Sequence, residues 1–224
     1  MSESSTGQPE IYTGGFFQTN CYLLPTPGGG RLLIDAPKGS AAFLRTLGVG
    51  TGKAGAPKLD ALLLTHAHID HIHDAAEIVR EHGCALFYHA DGLPLLTDRH
   101  AYRRFGLSIE FEPVTGGETV TETPWREFAG VGFQVLEVPG HCPGSLCFYN
   151  PAGVVLYAGD TLFAGSVGRV DLPGGDGELL LRGLREKVLS LPDATLVLSG
   201  HGPSTTIGRE RRTNPFIKSQ ELWS

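Results

Sequence analysis

The sequence predicts an α/β fold (with α+β character) of two mixed sheets packed together, helices on the outer faces, as one domain. Three observations predict it. Apolar runs of strand length recur in both halves of the chain. Early runs are joined by tight turns, later ones by amphipathic stretches of helical period. Several runs stop at a Gly or Thr and then present a histidine or an aspartate.

Taken in order, "QTNCYLLP" and "RLLIDAP" read as strands joined by the turn "TPGGG". "SAAFLRTLGV" reads as a helix, and "LDALLLT" as a buried strand. "HIDHIHDAAEIVREHG" runs into a helix closed by Gly83. "CALFYH", "FQVLEVPG", "LCFYN", "VVLYAGD" and "ATLVLSG" follow as strands, with a helix at "GELLLRGLREKVLSL" between the last two. Hairpins give way to alternating strands and helices, which is the signature of sheets covered by helices. Residues 1–224 are expected to form a single domain, with residues 1–10 a flexible lead-in.

Composition narrows the function. Of 224 residues, 41% are hydrophobic and 19% charged, which is ordinary for a globular chain. A net charge of −6 argues against a general nucleic-acid binder. No stretch approaches the roughly 18 apolar residues of a membrane span. The polar start "MSESSTGQPE" lacks the order of an export signal. The four cysteines (Cys21, Cys84, Cys142, Cys147) form no CxxC pair, so reduced thiols in a cytoplasm are expected. Cys21 and Cys147 read as small core residues.

The chemistry concentrates in "LLLTHAHIDHIHDA", Leu62 to Ala75, where four histidines and two aspartates fall within nine positions. His66 and His68, two apart, can converge on one ion from an extended backbone while Ala67 points away. Asp70 and His71 come at the start of a helix and address a neighbouring position. Three later strand ends lead to His141, Asp160 and His201. Seven ligands exceed the four or so of one tetrahedral site. They suit two ions sharing a bridging carboxylate and a bridging hydroxide.

"THAHIDH" fits the HxHxDH signature and resembles the metallo-β-lactamase superfamily. The resemblance continues through "VPGHCPGSLCF", "YAGDTLFAGSVGRVDLPGGD" and "LSGHGPSTTIGRERRTNP", from about Thr13 to Pro215. It implies an αββα sandwich with the metals at one edge. Carried over, one metal takes His66, His68 and His141, the other takes Asp70, His71 and His201, and Asp160 bridges them. His66, His68, Asp70 and Asp160 are the residues this implies for catalysis. The cofactors expected are two divalent ions, zinc first, with iron and manganese equally suited to imidazole and carboxylate ligands.

Within the superfamily the "GDTLFAGSVGR.DLPGGD" block most resembles the glyoxalase II group, above all its short bacterial members, which hydrolyse thioesters of glutathione. A small-molecule thioester is therefore the expected substrate, with a glutathione conjugate as one form of it. Neither nucleic acid nor membrane is expected as a partner, and the oligomeric state stays open. Larger glyoxalase II enzymes grip glutathione with a C-terminal helical region, and only 23 residues follow His201. Arg169 is then the anchor expected for a substrate carboxylate, or else a loop pin paired with Asp171 or Asp176. Persulfide dioxygenases resemble the same group and would use one iron on His66, His141 and Asp160. Hydrolysis of other esters or lactones is the remaining alternative. Asp35 is expected to order the ligand loops rather than bind metal. His73 and Asp74 stand where the group commonly has two glycines, and His73 is expected not to be a ligand.

Overall fold

The computed structural model describes residues 8–106 and 108–218. Two compact units divide the chain. One runs to Val120 and adds Glu127–Gly132; the other holds Thr121–Arg126 and the chain from Phe133 onward.

The first unit carries a six-stranded mixed sheet in chain order: β1 (Glu10–Gly14), β2 (Thr19–Pro25), β3 (Arg31–Ile34), β4 (Leu59–Leu63), β5 (Ala85–Tyr88) and β6 (Glu118–Thr119). Tight turns make β1–β2–β3 an antiparallel meander, with Tyr22 opposite Ile34. From β3 onward the pairing is parallel. Parallel pairing needs crossovers. The connection from β3 to β4 carries α1 (Ser40–Thr46), and that from β4 to β5 carries α2 (Ile69–Ile72) and α3 (Ala75–His82). A further helix, α4 (Leu93–Thr97), follows β5. The middle strands are largely apolar, as burial on both faces requires, with Leu32, Leu33, Ile34, Leu62 and Leu63 all at 0% exposure. α3 stops where the sequence indicates: Gly83 adopts φ 60° and returns its N–H to Val79 O.

The second sheet contains β7 (Thr123–Phe128), β8 (Val131–Glu137), β9 (Leu146–Asn150), β10 (Val155–Gly159), β13 (Leu196–Ser199) and β14 (Thr205–Thr206), in the order β14-β13-β10-β9-β8-β7. A small hairpin of β11 (Leu162–Phe163) and β12 (Ser166–Val167) stands apart. β10 reaches its parallel neighbour β13 through α5 (Gly177–Gly183). α6 (Ile207–Thr213) and α7 (Pro215–Lys218) close the unit. Leu156, Ala158, Leu162, Leu180, Leu184, Val188, Val197 and Ile207 form its fully buried core.

Two expectations need correction. The helix read over 177–191 is α-helical only to Gly183, then widens into a π-helical turn, Leu184–Val188. The lead-in expected over 1–10 falls on residues 1–7, outside the described ones, and on a stretch where Glu10 already pairs with Leu23.

Candidate metal centre

In the first unit, β4 runs out through Leu64 and Thr65 into the loop that carries His66 and His68. His68 keeps extended backbone (φ −69°, ψ 147°) and is the residue from which α2 starts. Asp70 and His71 follow on that helix, so three imidazoles crowd together. The His66 ring centroid lies 4.1 Å from that of His71 and 4.8 Å from that of His68. All three residues are buried. Protonated rings at such separations would repel strongly, so this packing suits neutral imidazoles.

The hydrogen bonds assign the tautomers. Asp35 Oδ2 accepts from His71 Nδ1 at 2.8 Å and from the Thr65 hydroxyl at 2.8 Å. Asp35 Oδ1 accepts from the Thr65 backbone N–H. Thr65 has one hydroxyl proton and gives it to Asp35. Its oxygen, 3.1 Å from His66 Nδ1, therefore accepts from that nitrogen. Both rings carry their proton on Nδ1, leaving a lone pair on Nε2. This is the outer-sphere arrangement that prepares imidazoles to ligate a metal. Asp35 adopts φ 62°, a left-handed conformation that Asp tolerates better than most residues. Asp70 Oδ2 accepts from the Thr19 hydroxyl at 2.8 Å and lies 3.5 Å from His71 Nε2.

In the second unit, Asp160 follows β10 and His201 follows β13. The two strands are parallel neighbours with Gly159 opposite Ser199, so both side chains leave the same end of the sheet. His201 Nε2 lies 3.3 Å from Asp160 Oδ2, and His141 Nε2 lies 3.6 Å from the same oxygen. His141 Nδ1 donates to the Arg169 carbonyl at 2.8 Å, which in the neutral ring leaves the lone pair on Nε2. Gly168 permits this closeness, since a Cβ there would sit 2.0 Å from Asp160 O and 3.1 Å from the His141 Cβ.

Each unit thus assembles its share of the expected ligands, and neutral imidazoles beside carboxylates are a donor set that fits a divalent ion. The guanidinium of Arg169 is exposed and forks onto both oxygens of Asp171, each at 2.7 Å. That fork holds the Asp171 carboxyl down to about 2. His73 pairs with Asp74 at 2.9 Å. Asp35 orders the ligand loop as the sequence suggests. Thr65 could have been suspected from its place before His66, whereas nothing local marks Thr19, which lies 51 positions from its partner.

The chain belongs to the metallo-β-lactamase superfamily, whose family model matches residues 14–201. Its two mixed sheets with helices are the α/β fold of that family. Hydroxyacylglutathione hydrolase GloC of Haemophilus influenzae is 34% identical over 213 residues, covering 94% of this chain and 98% of that protein. Among solved structures, the BLEG-1 B3 metallo-β-lactamase superposes with a TM-score of 0.81 at 33% identity, covering 95% of this chain and 100% of that one. TTHA1623 in a di-iron-bound form gives a TM-score of 0.78 at 39% identity, covering 92% and 99%. Among the described residues, no helix is long and apolar enough to cross a membrane.

Proposed function

We propose that this chain is a binuclear metal-dependent hydrolase, a cytoplasmic thioesterase of the hydroxyacylglutathione hydrolase type, acting as one catalytic domain. One ion would be held by His66, His68 and His141 and the other by Asp70, His71 and His201, with Asp160 serving as a ligand to both. The observation that carries the reading is the set of proton positions: His66, His71 and His141 each commit Nδ1 to a protein oxygen and keep Nε2 for a ligand bond. The likeness to GloC, over nearly the full length of both chains, supports a glutathione thioester as substrate. Zinc is the metal proposed; the di-iron-bound neighbour supports iron as the alternative.

When bound, the ions would supply a nucleophilic water at neutral pH and an electrophile for the acyl carbonyl. The chain's own residues do the rest. Asp35 and Thr65 lock His71 and His66, and burial keeps bulk water from those two rings. Asp160 Oδ2 sits against two imidazoles, one from each of two strand-end loops. A thiol near pKa about 8.5 leaves without a potent general acid, so the ligand set suffices for a thioester better than for an alkyl ester. Arg169 meets a substrate carboxylate by exchanging it for Asp171.

Metal analysis of the purified protein, combined with assays on S-lactoylglutathione, simple thioesters and a lactone panel, tests the reading. Two ions per chain and turnover of the thioesters are expected. One iron per chain, with oxygen uptake on glutathione persulfide, would replace the hydrolase with a dioxygenase.

A further inference from the structure

Beyond α4 the first unit makes a 3₁₀ turn, Ala101–Phe105, ended by Gly106 at φ 74°. Two contacts tie this turn to the ligand loop. Buried Tyr102 donates its hydroxyl to Ala67 O at 2.5 Å, and the Phe105 ring stands edge-on to the His68 ring at 5.8 Å. Around these anchors Arg99, His100 and Arg103, all exposed, line a cleft of about 480 Å³ with Ser108, Glu110 and Phe111. That volume is within the roughly 300–1,000 Å³ of small-molecule sites.

The charges of this cleft are unbalanced. Glu112 on its wall is engaged by Arg80. Among the described residues, no carboxylate pairs with Arg99 or Arg103, whereas Arg45, Arg80, Arg169 and Arg211 each hold at least one. Two guanidiniums four positions apart, Arg103 on the turn and Arg99 just before it, face Glu110 as the remaining unengaged carboxylate among the described lining residues, so the cleft gains from an anion.

We propose that Arg99 and Arg103 form an oxyanion subsite for the thiol portion of the substrate, gripping a carboxylate or phosphate while the acyl carbon lies beside His68. The proposal rests on the thioesterase reading and names its substrate class: a thioester whose carrier is a small anionic thiol. The anchors make the distance reasonable. A tripeptide spans roughly 10 Å when extended, and the turn bearing Arg103 touches the ligand loop through Tyr102 and Phe105.

The test uses three lactoyl thioesters on the metal-loaded protein, with glutathione, coenzyme A and neutral N-acetylcysteamine as carriers. In the Arg99→Ala/Arg103→Ala variant, the kcat/KM preference for a charged over the neutral carrier is expected to fall about tenfold, through KM. The carrier that loses more identifies carboxylate or phosphate as the oxyanion. Raising the ionic strength is expected to erode the same preference in the wild type and to change little in the variant. An unaltered preference, or an equal fall on all three substrates, overturns the subsite. If the wild type hydrolyses none of them, the thioesterase reading fails by itself. Calorimetric titration with S-methylglutathione and with coenzyme A then decides the cleft: about tenfold weaker binding to the variant supports it, and equal binding overturns it.

Discussion

Asp35 Oδ2 and His71 Nδ1 are joined at 2.8 Å, with neither side chain more than 3% exposed. Through Thr65 the same oxygen also governs His66, so one carboxylate sets the proton position of two imidazoles. Asp35→Asn keeps a residue that tolerates φ 62° and removes the charge, while its amide cannot accept all three hydrogen bonds. Metal affinity is expected to drop about 10- to 100-fold, read by competition with a chromophoric chelator. Thr65→Val breaks only the branch to His66 and is expected to cost less. A larger loss for Thr65→Val than for Asp35→Asn contradicts the relay.

Asp160→Asn is expected to lower occupancy of both ions together. A shared carboxylate offers an oxygen to each ion, whereas the amide has one weak acceptor and no charge. Metal analysis that finds one ion lost and most activity kept means that Asp160 is not shared.

Gly168→Ala tests the packing behind the second unit's cluster. The new methyl would have to displace the Asp160 carbonyl, 2.0 Å from its ideal position, and press on His141. Overpacking of this kind costs about 1–3 kcal/mol, and here it also moves two proposed ligands. Both a lowered Tm and a lowered metal content are expected; a loss of stability with full metal content separates the packing from the site.

The Arg169–Asp171 pair makes a prediction with a definite pH sign. The Arg169 fork lowers the folded carboxyl of Asp171 to about 2, below its ordinary range. Whatever stability the pair adds is complete above about pH 4 and is lost as pH falls through about 2. The Tm difference between wild type and Asp171→Asn should be flat above about pH 4 and vanish in stronger acid. If Arg169 also meets the substrate, Asp171→Asn lowers KM for lactoylglutathione while Arg169→Ala raises it. Opposite or absent KM changes leave Arg169 as a loop pin.

The thiols should be silent. Burial pushes Cys84 up to about 11 and Cys147 up to about 12, and raises Cys21 further still. With almost no thiolate at pH 8, these three are expected to react with a disulfide reagent only after denaturation. Rapid labelling of any of them in the folded protein contradicts this.

Much of this was legible because the chain marks its strands with apolar-rich runs and stops them at chemistry. The largely apolar "LDALLLT" indicates both a central strand and the position of His66. β1 was not legible: "EIYTG" has three exposed positions and adjoins a polar start, so nothing in its pattern separates it from a lead-in. α6 was hidden likewise, since "IGRERRT" offers only Ile207 and Gly208 as buried small or apolar positions, and its buried Glu210 reads as a surface charge. That carboxylate is held by Gly165 N–H, the Thr205 hydroxyl and the Asn214 amide, partners up to 45 positions away. The same limit applies at the metal-ligand cluster of the first unit. Histidine spacing announces the proposed ligands, but the tautomer of His66 depends on Asp35, reached only through the fold.

Asp74 carries a different kind of message. Its Oδ2 accepts from the backbone N–H groups of Gly39 and Ala41, at the start of α1, while its Oδ1 holds His73. Gly39 has no side chain with which to cap that helix, so a carboxylate 35 positions later does it. The histidine signature and the Lys38–Ala41 segment are therefore one transplantable part. A designer who moves the ligand loop into another frame must carry both pieces, and a lineage that replaces Asp74 with a small residue must find α1 a new cap.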